Sequence, residues 1–343
     1  MISLLKAIWH FSKAFIYYKL KGFTPSTGFH SMRQLFVMTN GRFNDWFSFG
    51  ATTVVGKYRK LKSNNPQGVL GGLSKKQIKD ITKGIKNDGY YIFENTLSEE
   101  TVKELVRFAE TTPSRYLVIP EKDEGPTKVG FSQEGVLYDR DNVVAPKYVF
   151  QMQQLLENPL LRKLIFDSSL LTVAQSYLGC KPILDLIAMW WSAPFNKKGA
   201  AEAAQMYHFD LDRIKFLKFF FYLTDVESET GPFCYVKNSH HRLPKPIRED
   251  RRLTDEEVKQ YFPADHILEL TGKKGTIMAV DTRGLHKGKP LLKGERLIFQ
   301  LEYCNSYFGV EYPKVNLPAT LDDHSTQMFN QYPKVYSRIL KKN

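Results

Sequence analysis

The sequence predicts an α+β chain, with helices through its first half and an all-β barrel or sandwich over residues 180–310. Before Gly179, apolar residues recur at helical spacing behind capping residues. After it, short β-like runs alternate with Gly, Pro and charged segments. The 343 residues are 42% hydrophobic and 25% charged, which excludes a disordered, collagenous or coiled-coil chain. This length admits two domains or one elaborated β fold with helical additions.

Residues 2–21 read as a helix. Lys6, His10, Lys13, Tyr17 and Lys21 follow one another at steps of three or four and share one face. Ile8, Trp9, Phe11, Phe15 and Ile16 cover much of the rest. Such a helix either packs on its own domain with its lysines in solvent, the commoner outcome, or lies on a membrane surface. Residues 22–62 are rich in aromatics and Gly with weak periodicity and take no assignment. Ser63-Asn64-Asn65-Pro66-Gln67-Gly68 reads as a linker. The expected organisation is therefore a basic, aromatic-rich N-terminal extension (1–65), a main domain (74–310) and a C-terminal tail (311–343).

Within the main domain, Ser74 and Gln77 fit a capping box and predict a helix over 75–87, which Gly89 ends. Residues 90–93 are a short strand. Ser98, followed by Glu99 and Glu100, caps a second helix whose buried stripe is Val102, Leu105, Val106 and Phe108. Residues 153–178 are helical again, with Pro159 as an interruption. The β-like runs are 183–191, 216–224, 266–270, 276–281 and 297–303.

Charge is concentrated at the start. Residues 1–65 hold ten Lys and Arg and a single acid, Asp45, and so carry nine of the thirteen net positive charges. The remainder is near balance, so the main domain offers no case for nucleic-acid binding. The partner question belongs to the N-terminal segment. Cys180, Cys234 and Cys304 are odd in number and far apart. They form neither a disulfide framework nor a zinc ribbon, which points to a reducing, cytoplasmic compartment. No run approaches the ~18–20 apolar residues of a membrane span. Lys6, His10, Lys13 and Lys19 break up any signal-peptide core. A cytoplasmic protein is expected, peripheral at a membrane surface if residues 2–21 make that contact.

Of eight histidines only His208 has a carboxylate two residues on, in His208-Phe209-Asp210. In extended chain, residues i and i+2 point to one side, so both could face one metal. Far downstream comes Asp281-Thr282-Arg283-Gly284-Leu285-His286, and ten residues later Arg296. Two His and one carboxylate make the facial triad of non-haem Fe(II) oxygenases. A 2-oxo acid can fill two of the three open positions and dioxygen the third. The far carboxylate of 2-oxoglutarate then needs a buried cation, to which the planar fork of Arg is suited.

Over residues 74–310 the chain resembles the phytanoyl-CoA dioxygenase family of Fe(II)/2-oxoglutarate-dependent oxygenases. Four segments in order carry the likeness: Asp88-Gly89-Tyr90-Tyr91-Ile92 with Leu97-Ser98-Glu99-Glu100; Gln205 to Asp210; Tyr222-Leu223-Thr224-Asp225 with Gly231 to His240; and Asp281 to Arg296. The resemblance implies a double-stranded β-helix of jelly-roll type with helices packed outside. It implies His208, Asp210 and His286 as Fe(II) ligands, Arg296 as the 2-oxoglutarate anchor and Gln205 as a further co-substrate contact. The co-substrates would be 2-oxoglutarate and O2. Two positions depart from the pattern: Gly288 stands where relatives often carry Ser, and Asn238 where many carry Gly. Asp210 disfavours halogenation, whose agents lack this carboxylate. Hydroxylation of a small-molecule, lipid or glycan-type substrate, releasing succinate and CO2, is the expected reaction, with desaturation or ring chemistry open.

Trp190 and Trp191 alternate on a strand, so one faces the pocket; Trp191 and Arg242 are the candidate substrate contacts. The connection 237–262 holds Arg242, Lys245, Arg248, Arg251 and Arg252 ahead of a short helix near 254–261. It is either a solvated insertion, offset by Glu249 and Asp250, or a clamp for a phosphate or carrier thioester. His240 and His241, in a turn, are not expected to bind metal. A small-molecule or carrier- or lipid-linked substrate is the expected partner. The competing reading is a catalytically silent scaffold working through its basic N-terminus. The intact His208, Asp210, His286 and Arg296 argue against it. A hydrolase or lyase on the same triad would leave Arg296 without a task.

Overall fold

The structure is a computed structural model that describes residues 3–53, 67–94, 96–118, 130–195 and 204–341. Residues 63–66 of the expected linker lie outside these. Three helices open the chain: α1 (Leu4–Lys21), α2 (Ser26–Thr39) and α3 (Arg42–Thr53). The segment left unassigned is thus helical in its described part. Its weak periodicity has a packing reason at Gly28. A Cβ there would meet the Ala14 Cβ at 2.2 Å, so α1 and α2 approach through small residues rather than a broad apolar stripe.

The main domain begins as expected with α4 (Lys75–Asp88), whose Ser74–Gln77 capping box is formed. It is followed by β1 (Tyr90–Phe93) and by α5 (Glu99–Thr111), whose Ser98 accepts from the Thr101 amide. Three short strands come next: β2 (Arg115–Val118), β3 (Gly130–Phe131) and β4 (Lys147–Val149). The helix expected over 153–178 is three helices: α6 (Met152–Glu157), α7 (Pro159–Ile165) and α8 (Ser168–Leu178). Asn158 caps α7 with Pro159 in its first turn, and the Asp167 carboxylate accepts from the Ser169 and Leu170 amides to start α8.

The β half comprises β5 (Ile183–Ser192), β6 (Phe216–Tyr222), β7 (Phe233–Val236), the one-turn α9 (Asp255–Lys259), β8 (Ile267–Leu270), β9 (Ile277–Val280), β10 (His286–Gly288) and β11 (Arg296–Cys304). β12 (Val315–Asn316), α10 (Asp323–Gln331) and β13 (Ile339–Leu340) complete the chain. One antiparallel sheet runs β1-β9-β6-β11-β5-β4-β2-β3, and a second runs β10-β7-β8. They are the two walls of a double-stranded β-helix, with Phe220, Tyr222, Met278 and Ile298 of the first meeting Phe233 and Tyr235 of the second between them.

Strand alternation sorts the large sheet into two faces. Leu297, Phe299, Leu301 and Tyr303 of β11 pack with Phe219, Phe221 and Trp191 against α4–α8 in the main core. The intervening positions, Arg296, Ile298, Gln300 and Glu302, face the interior. Register aligns these interior positions into rows. Lys147, Ser192 and Arg296 stand side by side, as do Glu302, Lys218, Val280 and Tyr90 further along.

The C-terminal residues expected as a tail are instead part of the core. Val335 and Tyr336 are fully buried, and Val315, Leu317, Met328 and Ile339 join the same cluster. Arg338 Nε donates to Asp185 on β5 at 2.7 Å, beside a paired Arg213. The N-terminal helices are likewise seated on the main domain. Phe11 and Met32 pack with Ile214 and Phe308, and Phe36 lies 5.5 Å from Phe209 between ring centroids. Asp45 of α3 accepts from Arg283 Nη1 at 3.0 Å and pairs with Lys215 at 3.1 Å.

Candidate metal centre

His208 and His286 face one another across a two-way backbone bridge, each amide donating to the other's carbonyl at 3.0 and 2.8 Å. The Asp210 amide donates to Thr282 O at 2.8 Å, which joins the His-x-Asp segment to the loop before β10. The side chains converge accordingly. One donor atom from each of His208, Asp210 and His286 lies within 4.8 Å of the others, the one such grouping among the described residues. His208 Nε2 is 3.7 Å from Asp210 Oδ1, and His286 Nε2 is 3.5 Å from Oδ2.

The other ring nitrogens fix the tautomers. His208 Nδ1 donates to Met206 O and His286 Nδ1 to Gly284 O, both at 2.9 Å. A carbonyl can only accept, so each Nδ1 carries a proton, and the neutral tautomer this selects is the one whose Nε2 lone pair faces the metal site. Metal-ligating histidines are held in this way. Phe233 stacks on the His286 ring at 5.2 Å. Burial first, and then His286, pulls the His208 pKa down to about 3, which keeps the ring neutral. Burial alone would raise the Asp210 pKa, but the Lys218 ammonium beside it outweighs burial and holds the carboxyl well below its usual range. These donors fit a divalent iron: two imidazoles and a carboxylate that converge on one point.

Lys218 is the residue that sequence reasoning missed here. Its Nζ donates to Asp210 Oδ2 at 2.8 Å and lies 3.7 Å from Asp212 and 3.4 Å from Glu302. The signal was present: a lysine in the apolar run 216–224 sits at a buried position and requires a partner.

Arg296 opens β11 and is buried, with Nη2 donating to Ser192 Oγ at 3.2 Å. Its Nε and Nη1 have no hydrogen-bond partner among the described residues. Each of these nitrogens shares a fork with Nη2, which has a second N–H besides the one given to Ser192, so a carboxylate can be seated on either the Nη1–Nη2 or the Nε–Nη2 edge. At Gly288 a Cβ would stand 3.2 Å from Arg296 Nη2, so the missing side chain at this position leaves room beside the guanidinium. Gln205 is half-buried, next to Ala204, whose carbonyl accepts from the Gly288 amide at 2.9 Å. Lys147, unforeseen, occupies the same row as Arg296. Burial first, then Arg296 and Lys218, lowers its pKa to about 8.

Two expected substrate contacts lie elsewhere. Trp191 is fully buried on the helix side, stacked on Tyr138 with its indole directed to Ala109 O, because its alternation position points away from the interior. Trp190 takes the inward position, with Lys147 Nζ 4.5 Å from its ring centroid. Arg242 is exposed and is not among the residues lining the cavity at the triad. That cavity, about 400 Å³, is lined by His208, Asp210, Asp212, Arg251, Arg252 and Arg33 of α2. A neighbouring, largely apolar cavity of about 440 Å³ is lined by His30, Gln34, Val37 and Met38. The Arg33–Asp250 pair borders both, with Nη2 donating to Oδ1 at 2.6 Å. His240 and His241 are each bonded through Nε2 to Lys86 O. Asn238 holds the left-handed turn at φ 66°.

A β-helix carrying a facial His, Asp and His set defines a non-haem iron oxygenase class. The phytanoyl-CoA dioxygenase family model matches residues 85–292, and the chain belongs to that family. No curated protein matches the chain. Similar solved structures include the epimerase SnoN from nogalamycin biosynthesis, in complex with Fe3+, alpha-ketoglutarate and nogalamycin RO. It is 16% identical at a TM-score of 0.48, covering 67% of this chain and 84% of that one. The alpha-ketoglutarate-dependent carbocyclase SnoK is 17% identical at 0.48, covering 70% and 87%. HygX from Streptomyces hygroscopicus, with nickel and 2-oxoglutarate bound, is 17% identical at 0.43, covering 74% and 94%. At these scores none assigns a reaction to this chain.

Proposed function

We propose that the protein is an Fe(II)- and 2-oxoglutarate-dependent oxygenase that hydroxylates an unactivated C–H bond of a small-molecule, lipid or glycan-type substrate. The observation that carries this reading is the pairing of the convergent triad with a buried Arg296 whose Nε and Nη1 are unpaired among the described residues. Bound Fe(II) with 2-oxoglutarate and O2 supplies the oxidising power, releasing succinate and CO2 and leaving one oxygen atom in the substrate. His208, Asp210 and His286 hold the metal. Met206 O and Gly284 O keep both Nε2 atoms presented, and Lys218 neutralises the carboxylate oxygen it touches. Arg296 takes the distal carboxylate of the co-substrate, its fork oriented by Ser192. Lys147 adds positive potential on the same row. The apolar cavity beside α2 suits the non-reacting part of a substrate whose oxidised carbon reaches the triad.

An anaerobic titration tests this. Fe(II) followed by 2-oxoglutarate should give the visible charge-transfer band of the bidentate chelate. His286→Ala should abolish the band, and Arg296→Ala should raise the 2-oxoglutarate needed by about 100-fold, the loss expected for a buried charge-assisted pair. Folded wild-type protein without the band would overturn the reading and favour a scaffold.

A further inference from the structure

Helix α1 has two apolar faces, and only one is covered. Ala7, Phe11 and Ala14 are buried, with Phe11 in ring contact with Phe43, Phe47 and Phe308. On the other side Leu5, Trp9, Ile16 and Leu20 recur at helical spacing and are 79%, 58%, 62% and 76% exposed. A surface helix ordinarily turns its polar face outward. Here the outward stripe is apolar. The reading of the sequence that put the lysines together on one face is therefore incomplete: the buried and exposed apolar stripes lie on opposite sides, with the lysines between them.

The charges around that stripe say what covers it. Lys6, Lys13 and Lys19 flank it, and no acid occurs before Asp45. Lys13 Nζ sits 5.2 Å from the Trp9 ring centroid, so its stem runs along the stripe. At the C-terminal end Tyr17 and Phe23, both partly exposed, meet edge to face at 5.1 Å. A second copy of this face would set lysines against lysines. A bilayer with anionic headgroups complements it at both levels, with apolar side chains entering the acyl boundary and lysines reaching the headgroups. No helix among the described residues is long and apolar enough to cross a membrane, so α1 would lie in the interface.

We propose that the outer face of α1 docks the protein on an anionic membrane surface through Leu5, Trp9, Ile16 and Leu20. The test is co-sedimentation of the full chain with phosphatidylcholine vesicles, with and without phosphatidylglycerol. Wild type should sediment with the anionic vesicles and release in high salt. Trp9→Glu/Ile16→Glu should weaken binding about 100-fold, and Lys6→Glu/Lys13→Glu by about 30-fold or more. Leu5→Ser/Leu20→Ser is the milder variant, and unchanged thermal unfolding by circular dichroism identifies variants that keep the fold. Binding by these folded variants equal to wild type would overturn the proposal. So would a wild type that stays in the supernatant, or a wild-type dimer in solution that Trp9→Glu/Ile16→Glu dissociates.

Discussion

At Lys218 a single ammonium faces Asp210, Asp212 and Glu302 in a buried space. Glu302 is fully buried, and among the described residues neither of its oxygens finds a hydrogen bond. Burial therefore drives its pKa up to about 8, against the opposing pull of Lys218. The folded chain holds that proton where the unfolded chain, at an ordinary 4.5, has released it. Stability contributed by Glu302 is thus present below pH 4.5 and is lost as pH rises toward 8. Glu302→Gln should be near neutral at pH 4.5 and should stabilise by roughly 4 kcal/mol at pH 8, read by denaturant unfolding. Lys218→Met should cost about 3 kcal/mol in the metal-free protein, because it strands buried carboxylates. The histidines and Asp210 were legible in the sequence because ligand chemistry restricts residue type and spacing. Lys147 and Arg33 were not: each reaches the site through strand register or helix packing, which leaves no local pattern.

Among the elements, α3 depends on the one acid of the N-terminal extension. Asp45 is bound by Arg283 and Lys215; burial would raise its pKa, but these cations bring it down to about 2. A carboxylate depressed from 3.8 adds roughly 2 kcal/mol at neutral pH, a contribution present above pH 4 and lost as pH falls through 2. Asp45→Asn should speed amide exchange and tryptic cleavage across α1–α3 at pH 7 while leaving the β core protected. Equal protection in both proteins would show that Phe11, Phe36 and Phe308 seat the helices without it. The boundaries of α4 and α5 were readable because their caps are local. The division of 153–178 into three helices turned on Asn158 and Asp167, cap residues hidden inside one continuous apolar pattern.

For the molecule as a whole, an all-β half was legible from runs broken by turns, and the family, with the double-stranded β-helix it implies, from four ordered motifs. The role of the C-terminus was not, since residues 311–341 are polar in much of their length and place their buried side chains without a regular period. Val335, Tyr336 and Ile339 close the core, and Arg338 completes the charge balance at Asp185. A chain ending at residue 310 should lose cooperative thermal unfolding altogether, since removing several large buried side chains costs about 2–5 kcal/mol apiece. A sharp melt within a few degrees of the full chain would contradict that account.

The alternation along β11 has a consequence for how the chain folds. Arg296, Gln300 and Glu302 share the strand with Leu297, Phe299, Leu301 and Tyr303, and β5 and β6 flank it on both sides. A slip of one residue would turn the guanidinium and the carboxylate into the helix-side core and the large apolar side chains toward the metal cavity. Misaligned pairings of the central strand are therefore penalised at several positions at once. The groups that equip the interior for chemistry also act as a proofreading device, admitting one alignment of the sheet during assembly and rejecting its neighbours.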